Sequence, residues 1–154
     1  MIFRLPIKYI EFISLFTLFG VWIYTLLSYP SLPDNIAIHF DVNGHVKNHG
    51  SKSTVFGLPL LASLFYLVVI YLKVFIKKEY HKNKTSPKFT FKKYKSIIKI
   101  IDVSKLSFIL LFALSTIKQI QTANSKSFGS WYSFIIIVLI LIPLLYSVIR
   151  SLRM

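Results

Sequence analysis

The chain has 154 residues, of which 55% are hydrophobic, and its mean hydropathy is +0.63. Soluble domains contain about 45–50% apolar residues, so the composition predicts one domain of an integral membrane protein. The formal net charge is +14, and the lack of cysteine excludes disulfides, thiolate metal sites and thiol nucleophiles.

Four apolar segments are long enough to cross a bilayer core about 30 Å thick, which takes roughly 20 residues of helix. They lie near residues 10–27, 55–76, 97–117 and 133–149. We therefore predict an all-α integral membrane protein in which residues 1–154 form a single domain of four transmembrane helices.

The first apolar segment has an alternative interpretation as a cleaved signal peptide. Arg4 and Lys8 precede it, as basic residues do in such peptides. However, the following stretch, LLSYPSLPD, lacks the pair of small residues typical of a cleavage site. We therefore expect this segment to remain as the first helix.

A polar stretch, residues 32–52 (LPDNIAIHFDVNGHVKNHGSK), joins the first two segments and holds three of the four histidines. Its first part alternates apolar and other residues, which is typical of a strand with one apolar face. The apolar positions are Ile36, Ile38, Phe40 and Val42. Asn43 and Gly44 then tolerate the positive φ of a tight hairpin turn. A short ordered β-hairpin is predicted, covered by the membrane surface or by helix ends.

Five charged residues lie within the apolar segments, where each costs about 2.5–3.5 kcal/mol at a helix centre, and four of them are considered together: Glu11, Lys73, Asp102 and Lys105. Asp102 and Lys105 are three residues apart and share a helix face. Glu11 begins the first helix and Lys73 lies near the end of the second, so we expect all four near the inner membrane surface. They form either a polar cluster on a substrate or proton path, or interfacial ion pairs with lysines reaching water. We favour the second interpretation.

The basic residues are unevenly distributed along the chain. Eight lysines lie in the segment of residues 77–96, which links the second and third helices: Lys77, Lys78, Lys82, Lys84, Lys88, Lys92, Lys93 and Lys95. Such a bias marks the cytoplasmic side. We predict that both termini and this loop are cytoplasmic and that the hairpin lies outside. This topology accounts for the charge without nucleic-acid binding.

The polar loop also suggests metal chemistry. His39, Asp41, His45 and His49 could supply three imidazoles and one carboxylate to zinc. Alternatively, His39 and Asp41 hydrogen-bond the loop backbone while the other two histidines are solvated. We favour this second arrangement and expect no cofactor. No nucleophile elbow or oxyanion feature marks a hydrolase, so a non-enzymatic role is favoured.

Seven residues of the loop resemble a family pattern. They are Pro33, His39, Phe40, Asp41, Gly44, Gly50 and Lys52, in this order between two apolar segments. The pattern is similar to the N-terminal membrane domain of SdpI-like proteins, the immunity family for the sporulation-delaying toxin, over roughly the first half of the chain. The resemblance implies a bacterial multi-pass protein of the cell membrane that confers immunity to a secreted peptide toxin or senses one.

Three functions are therefore compatible with the sequence. The favoured one is recognition of a peptide toxin or membrane-protein partner by the outer loop. Its candidate binding residues are His39, Asp41, Asn43, Gly44 and Lys52. The alternatives are a metal-dependent membrane enzyme and an accessory subunit of a transporter or sensor, the latter binding an acidic cytoplasmic partner through the lysine loop.

Overall fold

A computed structural model describes residues 7–40, 46–82, 90–124 and 131–152, and only the backbone of Ile7, His39 and Phe40. Four helices follow one another: α1 (Ile7–Ser28), α2 (Gly57–Lys82), α3 (Phe91–Ala123) and α4 (Trp131–Ser151). Between α1 and α2 lie two antiparallel strands, β1 (Asn35–Phe40) and β2 (Val46–Ser51). The predicted helical fold with a hairpin after the first helix is confirmed.

All four helices extend past the C-terminal ends of the apolar segments that predicted them, and α1, α3 and α4 also begin earlier. The largest difference is in α3, which has 33 residues and begins at Phe91 instead of near residue 97. Hydropathy marks only the apolar part of a helix, whereas lysines are good helix formers and continue it into water. Short 3₁₀ turns, Tyr29–Ser31 and Lys52–Phe56, connect the hairpin to α1 and α2.

Three of the helices, with their flanking turns, are long and apolar enough to cross a membrane: Lys8–Ser31, Lys52–Lys82 and Trp131–Ser151. They belong to α1, α2 and α4, whose exposed apolar side chains suit an acyl-chain environment. In α4, Pro143 is the one described side chain that is buried. α3 is longer than these three and carries more charge.

The central position of α3 explains how it accommodates polar residues. α1, α2 and α4 each pack against α3 more extensively than they pack against one another. As a result α3 buries many polar side chains: Ser96, Asp102, Lys105, Ser107, Thr116, Lys118 and Gln119. The neighbouring helices shield them, so the hydropathy of α3 differs from that of a helix surrounded by lipid.

Consecutive helices run in opposite directions. Contacts between side chains fix these directions: Trp22 with Ser63 and Glu11 with Lys73 between α1 and α2, Tyr80 with Tyr94 and Phe65 with Phe108 between α2 and α3, and Ser115 with Tyr132 and Ser96 with Arg150 between α3 and α4. α1 and α3 are therefore parallel, and the hairpin strands, the end of α3 and the start of α4 lie at the same end of the bundle.

Candidate functional site

The hairpin is docked onto the ends of the helices. Leu32, Ile36 of β1, Val55 and Ile120 of α3 form a buried cluster in which no side chain is more than 5% exposed. Tyr29 and Phe56 pack at its edge with ring centroids 4.9 Å apart. Burying one aliphatic side chain contributes about 1.5–3 kcal/mol, so this cluster holds the base of the hairpin firmly on the bundle.

The strand pairing is less regular than the alternating sequence predicts. Ile36 pairs with Gly50 and Ala37 with His49, but the register shifts on both sides of His39. Such an irregularity places unequal numbers of residues opposite one another and changes which way side chains face. Ile36 and Ala37, which precede the shift, are both buried, although strict alternation would expose one of them.

Gly50 has a packing role in the hairpin. A β-carbon at this position would lie 3.1 Å from Cδ1 and 3.2 Å from Cγ2 of Ile38. These distances are closer than ordinary contacts, so glycine lets the Ile38 side chain cross the neighbouring strand. Gly50, one of the two glycines of the loop pattern, therefore allows the Ile38 side chain of β1 to approach the backbone of β2 closely.

Lys52 closes the base of the hairpin. Its ammonium lies 2.9 Å from Oδ1 of Asp34, and its backbone N–H donates to the Asp34 carbonyl at 2.9 Å. The hydrogen bond from Lys52 holds the pKa of Asp34 below its ordinary value. The sequence singled out Lys52 as a binding residue but missed Asp34. The ion pair could have been predicted from position, because Asp34 directly precedes β1 and Lys52 directly follows β2, and these two ends of a hairpin lie side by side.

The remaining predicted loop residues are described unequally. Asp41, Asn43, Gly44 and His45 lie outside the described residues, so the predicted turn and most of the zinc set do too. His49 lies on β2, where its side chain is exposed. Within residues 7–40, 46–82, 90–124 and 131–152, no three potential ligands are grouped as a metal site would require.

Four charged residues of the apolar segments, Glu11, Lys73, Asp102 and Lys105, meet in one cluster between α1, α2 and α3. The Lys73 ammonium lies 3.0 Å from Oε2 of Glu11 and 2.7 Å from Oδ1 of Asp102. The Lys105 ammonium lies 2.6 Å from Oε2 of Glu11 and 3.6 Å from Oδ1 of Asp102. We call these four side chains the charged cluster. Two cations and two anions balance its charge.

Tyr66 of α2 completes the charged cluster and was missed in the sequence. Its hydroxyl donates to Oε1 of Glu11 at 3.0 Å, and the Lys105 ammonium lies 5.0 Å from its ring centroid. Tyr66 precedes Lys73 by seven residues, or two helical turns, so the two share a face of α2. This seven-residue spacing could have indicated that Tyr66 joins the cluster. The sequence alone does not show which of its several tyrosines contacts the charged residues.

Burial within the charged cluster is graded. The side chains of Asp102 and Lys105 are 0% exposed, whereas those of Lys73 and Glu11 are 21% and 34% exposed. Oδ2 of Asp102 is buried without a hydrogen-bond partner among the described residues. The cluster is thus closed toward α3 and open between α1 and α2. Its contacts are compatible with both interpretations of the sequence, an interfacial ion-pair network or a polar path.

Comparison with known proteins extends this description in one region of the chain. No curated protein and no solved structure matches the sequence. One family of domains matches from the middle of α1, through the hairpin, into the start of α2. Residues 16–63 therefore carry a domain of unknown function, DUF1648.

Proposed function

We propose that this multi-pass membrane protein recognises a peptide or a membrane-protein partner through its outer hairpin, as toxin-immunity and peptide-sensing proteins do. The observation that carries the proposal is the contrast between the two sides of the hairpin. The base is fixed by Leu32, Ile36, Val55 and Ile120, while β2 exposes the polar side chains of Lys47, Asn48 and His49.

A fixed hairpin suits recognition at a membrane surface. A preordered element loses little conformational entropy on binding, so more of the contact energy becomes affinity. Each strand of a two-stranded sheet also has one unpaired edge, which an extended peptide can join by backbone hydrogen bonds. The resemblance of the loop to SdpI-like immunity proteins favours a secreted peptide toxin as the ligand.

The test is a protection assay in bacteria that produce the protein. Cells are challenged with candidate membrane-active peptides, and the amount of each variant in the membrane is measured in parallel. His39→Ala, Asp41→Ala and Lys52→Ala should lose protection while inserting normally, because all three residues belong to the polar stretch of residues 32–52 and not to an apolar segment. His81→Ala is the matched control, since His81 is the one histidine outside the loop and lies in the last turn of α2, at the opposite end of the bundle.

Two results would contradict the proposal. One is full protection by the three loop variants together with its loss in Asp102→Ala or Lys105→Ala, which would place the working site in the charged cluster. The other is stoichiometric zinc in the purified protein that is lost specifically on His39→Ala, which would favour the metal-dependent enzyme instead.

A further inference from the structure

A continuous groove runs along the lipid-facing side of α1, beside the open side of the charged cluster. One part, about 430 Å³ in volume, is lined by Lys8, Glu11, Phe12, Leu15 and Lys73. The adjoining part, about 380 Å³, is lined by Phe12, Leu15, Phe16, Leu18, Phe19 and Trp22. Because both parts share Phe12 and Leu15, we treat them as a single α1 groove that is charged at one end and apolar along the rest.

The apolar part has the length of one lipid leaflet. Phe12 and Trp22 are ten residues apart in α1, which corresponds to about 15 Å along the helix axis. This is half of a hydrocarbon core of about 30 Å. An acyl chain entering from the Lys8 end would therefore run beside the groove for about the depth of its own leaflet.

The charged end offers donors to an anion. The Lys73 ammonium carries three N–H groups and uses two of them on Glu11 and Asp102. Glu11 is already engaged by Tyr66, Lys73 and Lys105, which offset its negative charge. Lys8 is exposed and forms no ion pair with another described residue. Lys8 together with the balanced charged cluster gives this end one net positive charge.

We propose that the α1 groove binds an anionic phospholipid from the leaflet on the Lys8 side. The phosphate group contacts Lys8 and the remaining N–H of Lys73, and one acyl chain lies along Phe12 to Trp22. A zwitterionic lipid fits this site less well, because its cationic headgroup approaches the same lysines.

Trp22 lies at the far end of the groove and allows a direct test. The chain has two tryptophans, so Trp131→Phe leaves Trp22 as the sole reporter. This variant is reconstituted into vesicles made mostly of unbrominated phosphatidylcholine. A minor fraction of the lipid carries bromine in its acyl chains, and this brominated lipid is phosphatidylglycerol in one sample and phosphatidylcholine in the other. Bromine quenches tryptophan at short range, so the brominated phosphatidylglycerol should quench Trp22 more strongly. The matched control is Trp22→Phe, in which Trp131 on α4 should be quenched equally by both lipids.

Single lysine substitutions separate a built site from general surface attraction. Lys8→Gln removes one lysine that attracts an anionic lipid at the membrane surface. It should therefore lower the affinity of the α1 groove for phosphatidylglycerol, relative to phosphatidylcholine, about fivefold. Lys78→Gln, an exposed lysine on α2 away from the groove, should leave it unchanged. Equal quenching of Trp22 by the two lipids, or an equal loss in Lys78→Gln, would overturn the proposal.

Discussion

At the residue scale, the charged cluster shows how a helix can carry ionised side chains inside a membrane protein. Lys105 is fully buried, yet its ammonium lies 2.6 Å from Glu11 and 3.6 Å from Asp102. An unpaired buried ammonium would retain its full desolvation cost, which two nearby carboxylates offset. The equal number of acidic and basic side chains is therefore the main reason that the cluster can be buried.

A pair of variants tests this dependence on balance. Lys105→Met leaves two carboxylates for Lys73 alone and should destabilise the protein by about 3–5 kcal/mol, as removal of one partner of a buried ion pair does. Asp102→Asn combined with Lys105→Met restores neutrality around the remaining Glu11–Lys73 pair and should recover most of that loss. Both are measured by denaturant unfolding in detergent micelles.

Lys95→Met serves as the control for that comparison, because Lys95 is an exposed lysine on the same helix and should change stability little. A double variant that is as unstable as Lys105→Met would show that specific contacts of Lys105 matter more than charge balance.

The ion pair at the hairpin base gives a pH-dependent prediction. The Lys52 hydrogen bond lowers the pKa of Asp34 in the folded protein, so the pair contributes fully above the pKa that Asp34 has when unfolded. This contribution is lost as the pH falls through the lowered, folded value. Lys52→Gln should raise the pKa of Asp34 toward its ordinary value, measured by NMR titration of carboxyl-labelled aspartate. An unchanged pKa would mean that the pair does not persist in solution.

At the element scale, the hairpin and α3 differ in how far the sequence determines them. The Asn-Gly pair lies outside the described residues, but the hairpin itself follows from a local signal, the alternation of apolar residues. Its docking does not, because Ile120 is 84 residues from Ile36 along the chain and only the folded bundle brings them together. The same is true of α3. Its charges lower its hydropathy, and the sequence does not show that neighbouring helices shield those charges in the folded protein. The partners of the charged cluster could be proposed from helix periodicity, but their pairing depends on how three helices pack.

Removing the distant side of the hairpin core tests whether docking depends on it. Ile120→Ala leaves both strands unchanged but takes away a 1%-exposed side chain, which typically costs about 2–5 kcal/mol. The backbone amides of β1 should then exchange hydrogen faster, as measured by hydrogen–deuterium exchange with mass spectrometry. Ile137→Ala on α4, where the side chain is 55% exposed, is the control. Unchanged protection of β1 in Ile120→Ala would show that the hairpin is held by its own pairing.

At the scale of the whole molecule, helix directions and charge distribution lead to one arrangement. The alternating directions place the end of α2 and the start of α3 at the same end of the bundle as the start of α1 and the end of α4. The described lysines at this end include Lys77, Lys78, Lys82, Lys92, Lys93 and Lys95. The opposite end holds the hairpin strands, the end of α3 and the start of α4. The most basic segments of the chain therefore fall on one side of the bundle.

This arrangement gives the final prediction, that the lysine-rich end is cytoplasmic and the hairpin lies outside. By sequence, twelve basic residues lie in or next to the termini and the segment of residues 77–96, against four in or next to the other two connections, and such a bias sets the orientation of multi-pass proteins. The chain has no cysteine, so single cysteines can be labelled without background. A membrane-impermeant maleimide should label Asn124→Cys in intact cells, whereas Ser86→Cys should react only after permeabilisation. Labelling of Ser86→Cys in intact cells would reverse the topology and place the hairpin in the cytoplasm, where it could not meet a secreted peptide.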